Sequence, residues 1–199
     1  VSKKKDVIVH AVKLIDKKCK DPKISINKGD EASATVDLKN RNAVMANHTA
    51  THLMHAALRA LISKDITQAG SKVSSNGLRF DINYKKPLSY EELRDIEVWV
   101  NDRIASWIPV TKRIMKKDEA IKSGAIGLFS DKYKDDVRVV SIEDASSELC
   151  GGLHVDNTGY IGSFKIVKES AVSSGTRRIE AITGRAALNY LLQLDAEKQ

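Results

Sequence analysis

Cysteine is scarce: Cys19 and Cys150 are the only two in 199 residues, so no disulfide scaffold holds this chain. Long apolar runs are missing too. None approaches the ~20 residues a membrane-spanning helix needs, which excludes an integral membrane protein of that kind. Internal repeats and low-complexity linkers are absent. The first residues are basic but lack an apolar run, so no secretory leader is expected here. With 42% hydrophobic and 30% charged residues, the chain can bury a core and remain in solution, which excludes global disorder. Residue 1 is Val rather than Met, and an excised piece of a longer chain is expected.

The net charge is +7, and it is concentrated at one end. Residues 1–46 hold 11 Lys and Arg against 6 Asp and Glu. Lys3, Lys4 and Lys5 form a short basic block, a solvated terminus that also suits attraction of a polyanion.

Hydrophobic alternation predicts strands over 7–15 and 32–38, with a turn at Gly29-Asp30 between them. Leu53, Ala56, Ala57, Ala60 and Leu61 mark the buried stripe of a helix over 44–63. Gln68-Ala-Gly-Ser71 reads as a turn that leads toward residues 78–84, which alternate as a strand. Ser89 and Glu92 form a capping box for a helix over 89–107, whose stripe is Leu93, Ile96, Val100, Ile104 and Trp107. A short helix over 117–123 stops at Gly124. Strands follow at 137–142, 161–167 and 177–182. A last helix, capped by Thr183, carries Leu188, Leu191, Leu192 and Leu194 with little chain left to cover them. The pattern predicts an α+β fold: an antiparallel sheet with packed helices around a metal site.

His48-Thr-Ala-Thr-His52 places two imidazoles about 6 Å apart along one helix face, the spacing one metal ion wants. The zinc-protease motif has Glu after its first His, and Thr49 stands there instead, so that reading loses its base. Cys150-Gly-Gly-Leu-His154 offers a second pair, with glycines that let the backbone turn tightly. One thiolate and three imidazoles make an ordinary tetrahedral zinc set, so one Zn2+ per chain is expected on His48, His52, Cys150 and His154. His55 is read as a polar neighbour of that site. His10 and Cys19 are read as structural. No Asp or Glu stands in an obvious place for a general base.

Several further stretches occur in a fixed order: Asn47-His-Thr-Ala-Thr-His-Leu-Met-His-Ala-Ala-Leu-Arg59, Gln68-Ala-Gly-Ser71, Leu78-Arg-Phe-Asp81, Glu148-Leu-Cys-Gly-Gly-Leu-His154 and Arg177-Arg-Ile-Glu-Ala-Ile-Thr-Gly184. Over roughly residues 30–185 this closely resembles the editing domain of alanyl-tRNA synthetase. The zinc set is shared with the threonyl-tRNA synthetase editing domain; the other motifs point to the alanyl type.

The resemblance implies an aminoacyl-tRNA ester hydrolase acting on the acceptor end of tRNA(Ala) mischarged with serine or glycine, in the cytoplasm and without a membrane partner. It implies that residues 1–46 are a partial β-barrel or lead-in strands, 47–185 the editing domain, and 186–199 the start of a C-terminal helical linker. The remaining synthetase domains, including the ATP-dependent activation of alanine, would lie elsewhere in the full-length chain. His48, His52, Cys150 and His154 match the family's zinc ligands. Thr51 and Gln68 match polar pocket positions, where a hydroxyl and an amide can read a serine hydroxyl or orient a water. Arg79, Arg177 and Arg178 are placed to meet acceptor-stem phosphates. Leu153 departs from the family's Cys-Gly-Gly-Thr-His, so no role of that Thr carries over. Two alternatives remain open: a free-standing trans-editing deacylase, and a zinc-stabilised tRNA-binding module without activity.

Overall fold

The computed structural model describes residues 2–4, 7–9, 27–127 and 135–197, with side chains from residue 27 onward. The chain forms two compact units, residues 1–35 and 36–199. In the first, strands β1 (Ser2–Lys4) and β2 (Val7–Val9) pair antiparallel. Beyond Val9, the strand expected over 7–15 lies outside the described residues, as do Lys5, His10 and Cys19. The expected turn is present: Gly29 has φ +103°, and the Asn27 amide donates to Asp30 Oδ2 at 2.7 Å.

In the second unit, helix α1 spans Leu38–Leu61. The strand expected over 32–38 is therefore overturned. Residues 31–37 join no ladder, and the Asp37 carboxylate takes the Asn40 amide at 3.0 Å, which starts the helix at Leu38 rather than at 44. The next elements are β3 (Gln68–Ser74), β4 (Gly77–Asn83), α2 (Tyr90–Ala105), β5 (Val110–Lys116) and α3 (Lys117–Lys122). They are followed by β6 (Asp136–Ile142), β7 (Ser146–Leu149), a 3-10 turn (Thr158–Ile161), β8 (Phe164–Ser173), β9 (Thr176–Thr183) and α4 (Gly184–Ala196).

Two antiparallel sheets result, one in the order β3-β4-β9-β8 and one in the order β5-β6-β7. The fold is thus α+β, as expected. Leu53, Met54 and Leu58 of α1 meet Phe80 and Ile82 of β4, Ile179 of β9, and Ile96 and Val100 of α2 in one core. Each such side chain, fully buried, contributes about 1.5–3 kcal/mol. The α2 capping box is complete: Ser89 Oγ accepts from Glu92 N, and Ser89 N donates to the Glu92 carboxylate.

Four local expectations are corrected. Gln68-Ala-Gly-Ser71 is not a turn but the start of β3, paired with β4 through a register shift between Gln68 and Gly70. Trp107 leaves the α2 stripe; its φ is +52° and the residue is 60% exposed. The strand expected at 161–167 begins at Phe164, because Thr158–Ile161 turns as a 3-10 helix that ends at Gly162. Thr183 sits at the α4 cap position but does not cap it; its hydroxyl donates to Asn47 Oδ1 at 2.8 Å instead. Strands β5 and β7, which periodicity did not mark, complete the second sheet. On α4, Leu188, Leu191 and Leu192 are exposed, as their stripe predicts.

Candidate metal centre and adjoining pocket

α1 carries His48 and His52 on one face near its middle, and the segment after β7 brings Cys150 and His154 against them. One ligand atom from each of the four lies within 4.8 Å of all the others, so this group could hold a metal ion. Cys150 Sγ stands 3.5 Å from His48 Nε2 and 3.3 Å from His154 Nε2. The ring centroids of His48 and His154 are 4.1 Å apart, and those of His52 and His154 are 4.5 Å apart.

Crowding of this kind disfavours protonated rings. Burial, with His52 beside it, lowers His48 to about 4. Burial and both neighbouring imidazoles lower His154 to about 2. His52 is lowered as well, by burial, against the opposing pull of Glu148. All three rings are therefore neutral at pH 7, the form a metal requires. Burial raises the Cys150 thiol, while the Gly152 amide at 3.4 Å opposes that rise.

The outer ring nitrogens have their own surroundings. His48 Nδ1 donates to the Leu153 carbonyl at 3.1 Å. His154 Nδ1 lies 3.1 Å from Thr49 Oγ1. His52 Nδ1 is buried without a hydrogen-bond partner and faces Glu148 Oε2 at 3.8 Å. The rings of His48 and His154 are thus anchored through their outer nitrogens, the arrangement that orients ligating histidines, whereas His52 only faces a carboxylate.

The Cys150–His154 loop is held closely. Arg138 of β6 donates from Nη1 to the carbonyls of Cys150 (3.2 Å) and Gly152 (2.5 Å). A Cβ on Gly152 would sit 2.2 Å from His48 Cε1, whereas one on Gly151 would meet nothing within 4 Å. The tight approach therefore needs one of the two glycines, not both. Leu153 contributes its carbonyl, and its side chain is half exposed. Any residue type supplies that carbonyl, so the departure from Thr leaves the cluster intact.

A small cavity, about 110 Å3, opens beside the cluster. His48, Thr51, His52, Gln68, Ser71 and Glu148 are among its lining residues. Thr51 donates its hydroxyl proton to the Asn47 carbonyl at 2.8 Å. Gln68 reaches the cavity from β3.

Glu148 is a carboxylate on the cavity wall, where the sequence offered no Asp or Glu in an obvious place for a general base. It is 3% exposed, accepts from His55 Nδ1 at 3.0 Å and from Ser146 Oγ at 3.2 Å. Burial pushes its pKa up, but the hydrogen bond from His55 and the nearby His52 hold it below the usual carboxylate range. His55 is accordingly more than a polar neighbour; it is fully buried and fastened to this carboxylate.

Arg79, Arg177 and Arg178 do not line the cavity. Arg178 forms a bidentate pair with Asp81 (2.7 and 2.8 Å), and Arg177 one with Glu169 (2.5 and 2.6 Å). Arg79 Nε lies 3.8 Å from Asp81 Oδ1.

Sequence reasoning missed Thr49, Arg138 and Glu148. Glu148 carried one usable signal, its place two residues before Cys150. Arg138 had none, because it reads as the polar phase of an alternating strand.

Residues 137–180 match the family described as "Threonyl and Alanyl tRNA synthetase second additional domain". The chain is 48% identical over 190 residues to an alanine–tRNA ligase of Sulfurovum sp. (strain NBC37-1), covering 96% of this chain and 22% of the relative. It is 49% identical over 185 residues to that of Thermotoga maritima, covering 93% and 21%. It is 52% identical over 162 residues to that of Paramagnetospirillum magneticum, covering 81% and 18%. The chain thus spans about a fifth of the length of these curated relatives.

Proposed function

We propose, from the premise that residues 137–180 match the threonyl and alanyl tRNA synthetase second additional domain and that nearly the whole chain resembles a segment of alanine–tRNA ligases, that this segment hydrolyses mischarged tRNA(Ala). Its substrates are Ser-tRNA(Ala) and Gly-tRNA(Ala). A synthetic pocket sized for alanine cannot exclude the smaller glycine, and it rejects the extra hydroxyl of serine only modestly. A separate hydrolytic site clears what binding alone lets through.

The observation that carries this reading is the junction of a His3Cys donor set with a small polar cavity. The cavity is well below the size of a drug-binding pocket and suits a fragment such as a seryl or glycyl group. We assign zinc as the metal. Zn–N near 2.0–2.1 Å and Zn–S near 2.3 Å in a tetrahedron put N and S donors about 3.5 Å apart, against 3.5 and 3.3 Å here. Zinc bound by His48, His52, Cys150 and His154 supplies either a Lewis acid for the ester or, with all four ligands engaged, a structural staple.

The remaining steps belong to the chain's own groups. Water oxygen bonds to the ester carbonyl carbon, the bond to the tRNA ribose oxygen breaks, and that oxygen takes a proton. Thr51 has committed its proton to Asn47, so it offers lone pairs to a serine hydroxyl or an ammonium group. Gln68, a neutral amide with two donors and an acceptor, orients a hydroxyl or a water without adding charge. Glu148 holds His55 and faces His52, which keeps the wall of the cavity rigid.

Arg79, Arg177 and Arg178 meet the acceptor end by exchanging carboxylate for phosphate partners. The other synthetase domains, with ATP-dependent alanine activation, are supplied by the longer protein, which works in the cytoplasm. Among the described residues no helix is long and apolar enough to cross a membrane.

The test is deacylation of Ser-tRNA(Ala) and Gly-tRNA(Ala), with Ala-tRNA(Ala) as the control. Selective release of serine and glycine supports the reading. Equal rates on all three, or no release above the uncatalysed rate, overturn it. Retained tRNA affinity without release would leave a binding module instead.

A further inference from the structure

We infer that Thr49 is a positioning residue for the metal centre, fixing the tautomer and ring orientation of His154 so that Nε2 faces the metal. The inference rests on the reading that the four-residue cluster holds zinc.

A threonine hydroxyl has one proton to donate and two lone pairs to accept with. Three neighbours surround Thr49 Oγ1. The Met45 carbonyl, at 2.9 Å, can only accept, so it takes the hydroxyl proton. The Val155 amide, at 3.2 Å, can only donate, so it fills one lone pair. His154 Nδ1, at 3.1 Å, is the third partner. The proton of the hydroxyl is already committed, so Nδ1 must bring its own. His154 is thereby the Nδ1–H tautomer, and its lone pair resides on Nε2, which stands 3.3 Å from Cys150 Sγ.

The same hydroxyl ties down two successive residues of the ligand loop, the ring of His154 and the backbone of Val155. Thr49 is fully buried, so no water competes for these positions. It comes from α1, which also carries His48 and His52, so one helix presents two ligands and orients a third that lies 105 residues away. Its place directly after His48 is where the zinc-protease motif keeps its base; here that place serves ligand orientation instead.

Outer-shell partners of ligating histidines typically change metal affinity by 10–100-fold when removed. Thr49→Val keeps the shape and removes the hydroxyl; Thr49→Ser keeps the hydroxyl. In a chelator competition titration, Thr49→Val should bind zinc about 10–100-fold more weakly, and Thr49→Ser should stay within a few-fold of wild type. A second measurement needs no variant. In zinc-loaded wild type with nitrogen-15 imidazole labels, His154 should show a proton on Nδ1 that exchanges slowly with solvent.

Wild-type affinity in Thr49→Val, or an unprotonated Nδ1 on His154, overturns the inference. Should Thr49→Val fail to fold by circular dichroism, the wild-type imidazole spectrum and Thr49→Ser still decide it. Failure of the wild type to bind zinc at all would instead remove the reading on which the inference stands.

Discussion

Nδ1 of His55 donates to Oε1 of Glu148 across 3.0 Å, joining α1 to β7 between two residues that are 1% and 3% exposed. A buried imidazole N–H and a buried carboxylate each need a partner, and here they supply one another. The pair stands at the wall of the cavity, where Glu148 also faces His52.

Removing both members should therefore cost less than the sum of removing each alone. Glu148→Ala strands the His55 N–H in the core, and a loss of about 1–3 kcal/mol is expected from urea denaturation. The His55→Ala/Glu148→Ala cycle should return a coupling of about 0.5–3 kcal/mol. Strict additivity of the two single variants would show that the contact carries no stability.

The two glycines of the ligand loop should behave differently. Gly152→Ala drives a methyl into the His48 ring, 2.2 Å from Cε1, so zinc affinity should fall by at least about tenfold. Gly151→Ala meets open space and should bind zinc as wild type does. Metal analysis should find one zinc in wild type, and Cys150→Ala, which deletes the only thiolate of the set, should lose it. Equal zinc affinity in the two alanine variants would contradict the packing of Gly152 against His48.

Gln68 lines the cavity from β3 but is not among the four metal-binding candidates. Gln68→Ala should keep zinc, fold and tRNA affinity while slowing Ser-tRNA(Ala) deacylation by about 10-fold or more, roughly 1.4 kcal/mol or more. A wild-type rate would remove Gln68 from the reaction.

The Asp81–Arg178 pair gives stability a definite pH dependence. The hydrogen bonds from Arg178 hold Asp81 below the usual carboxylate range, overcoming the upward push of burial, with further help from the charges of Arg178 and Arg79. Unfolded, the carboxyl titrates near about 3.9. The native state thus binds the proton less readily than the unfolded one, and the stabilisation is fully present above about pH 4. It is lost as pH falls through the depressed native value. Wild type should exceed Asp81→Asn in urea midpoint at pH 7, and the gap should narrow below about pH 4. A gap that stays constant down to pH 2 would rule out the ionised pair.

The sequence alone brought out the four residues that could hold a metal ion and much of the helical framework. His48 and His52 share a face because four residues make about one helical turn, and Cys150 and His154 flank glycines that permit a tight loop. The capping box of α2 is equally local. The tertiary structure decided what those motifs meet. Gln68–Ser71 reads as a turn and becomes the start of a strand because β4 lies beside it. Ala32–Leu38 alternates like a strand, yet Asp37 caps a helix and residues 31–37 find no ladder. The hydroxyl of Thr49, the carboxylate of Glu148 and the guanidinium of Arg138 took their roles only when the β7 loop closed on α1, because a hydrogen bond depends on partners that sequence spacing does not reveal. For Thr49 and His154 those partners stand 105 residues apart.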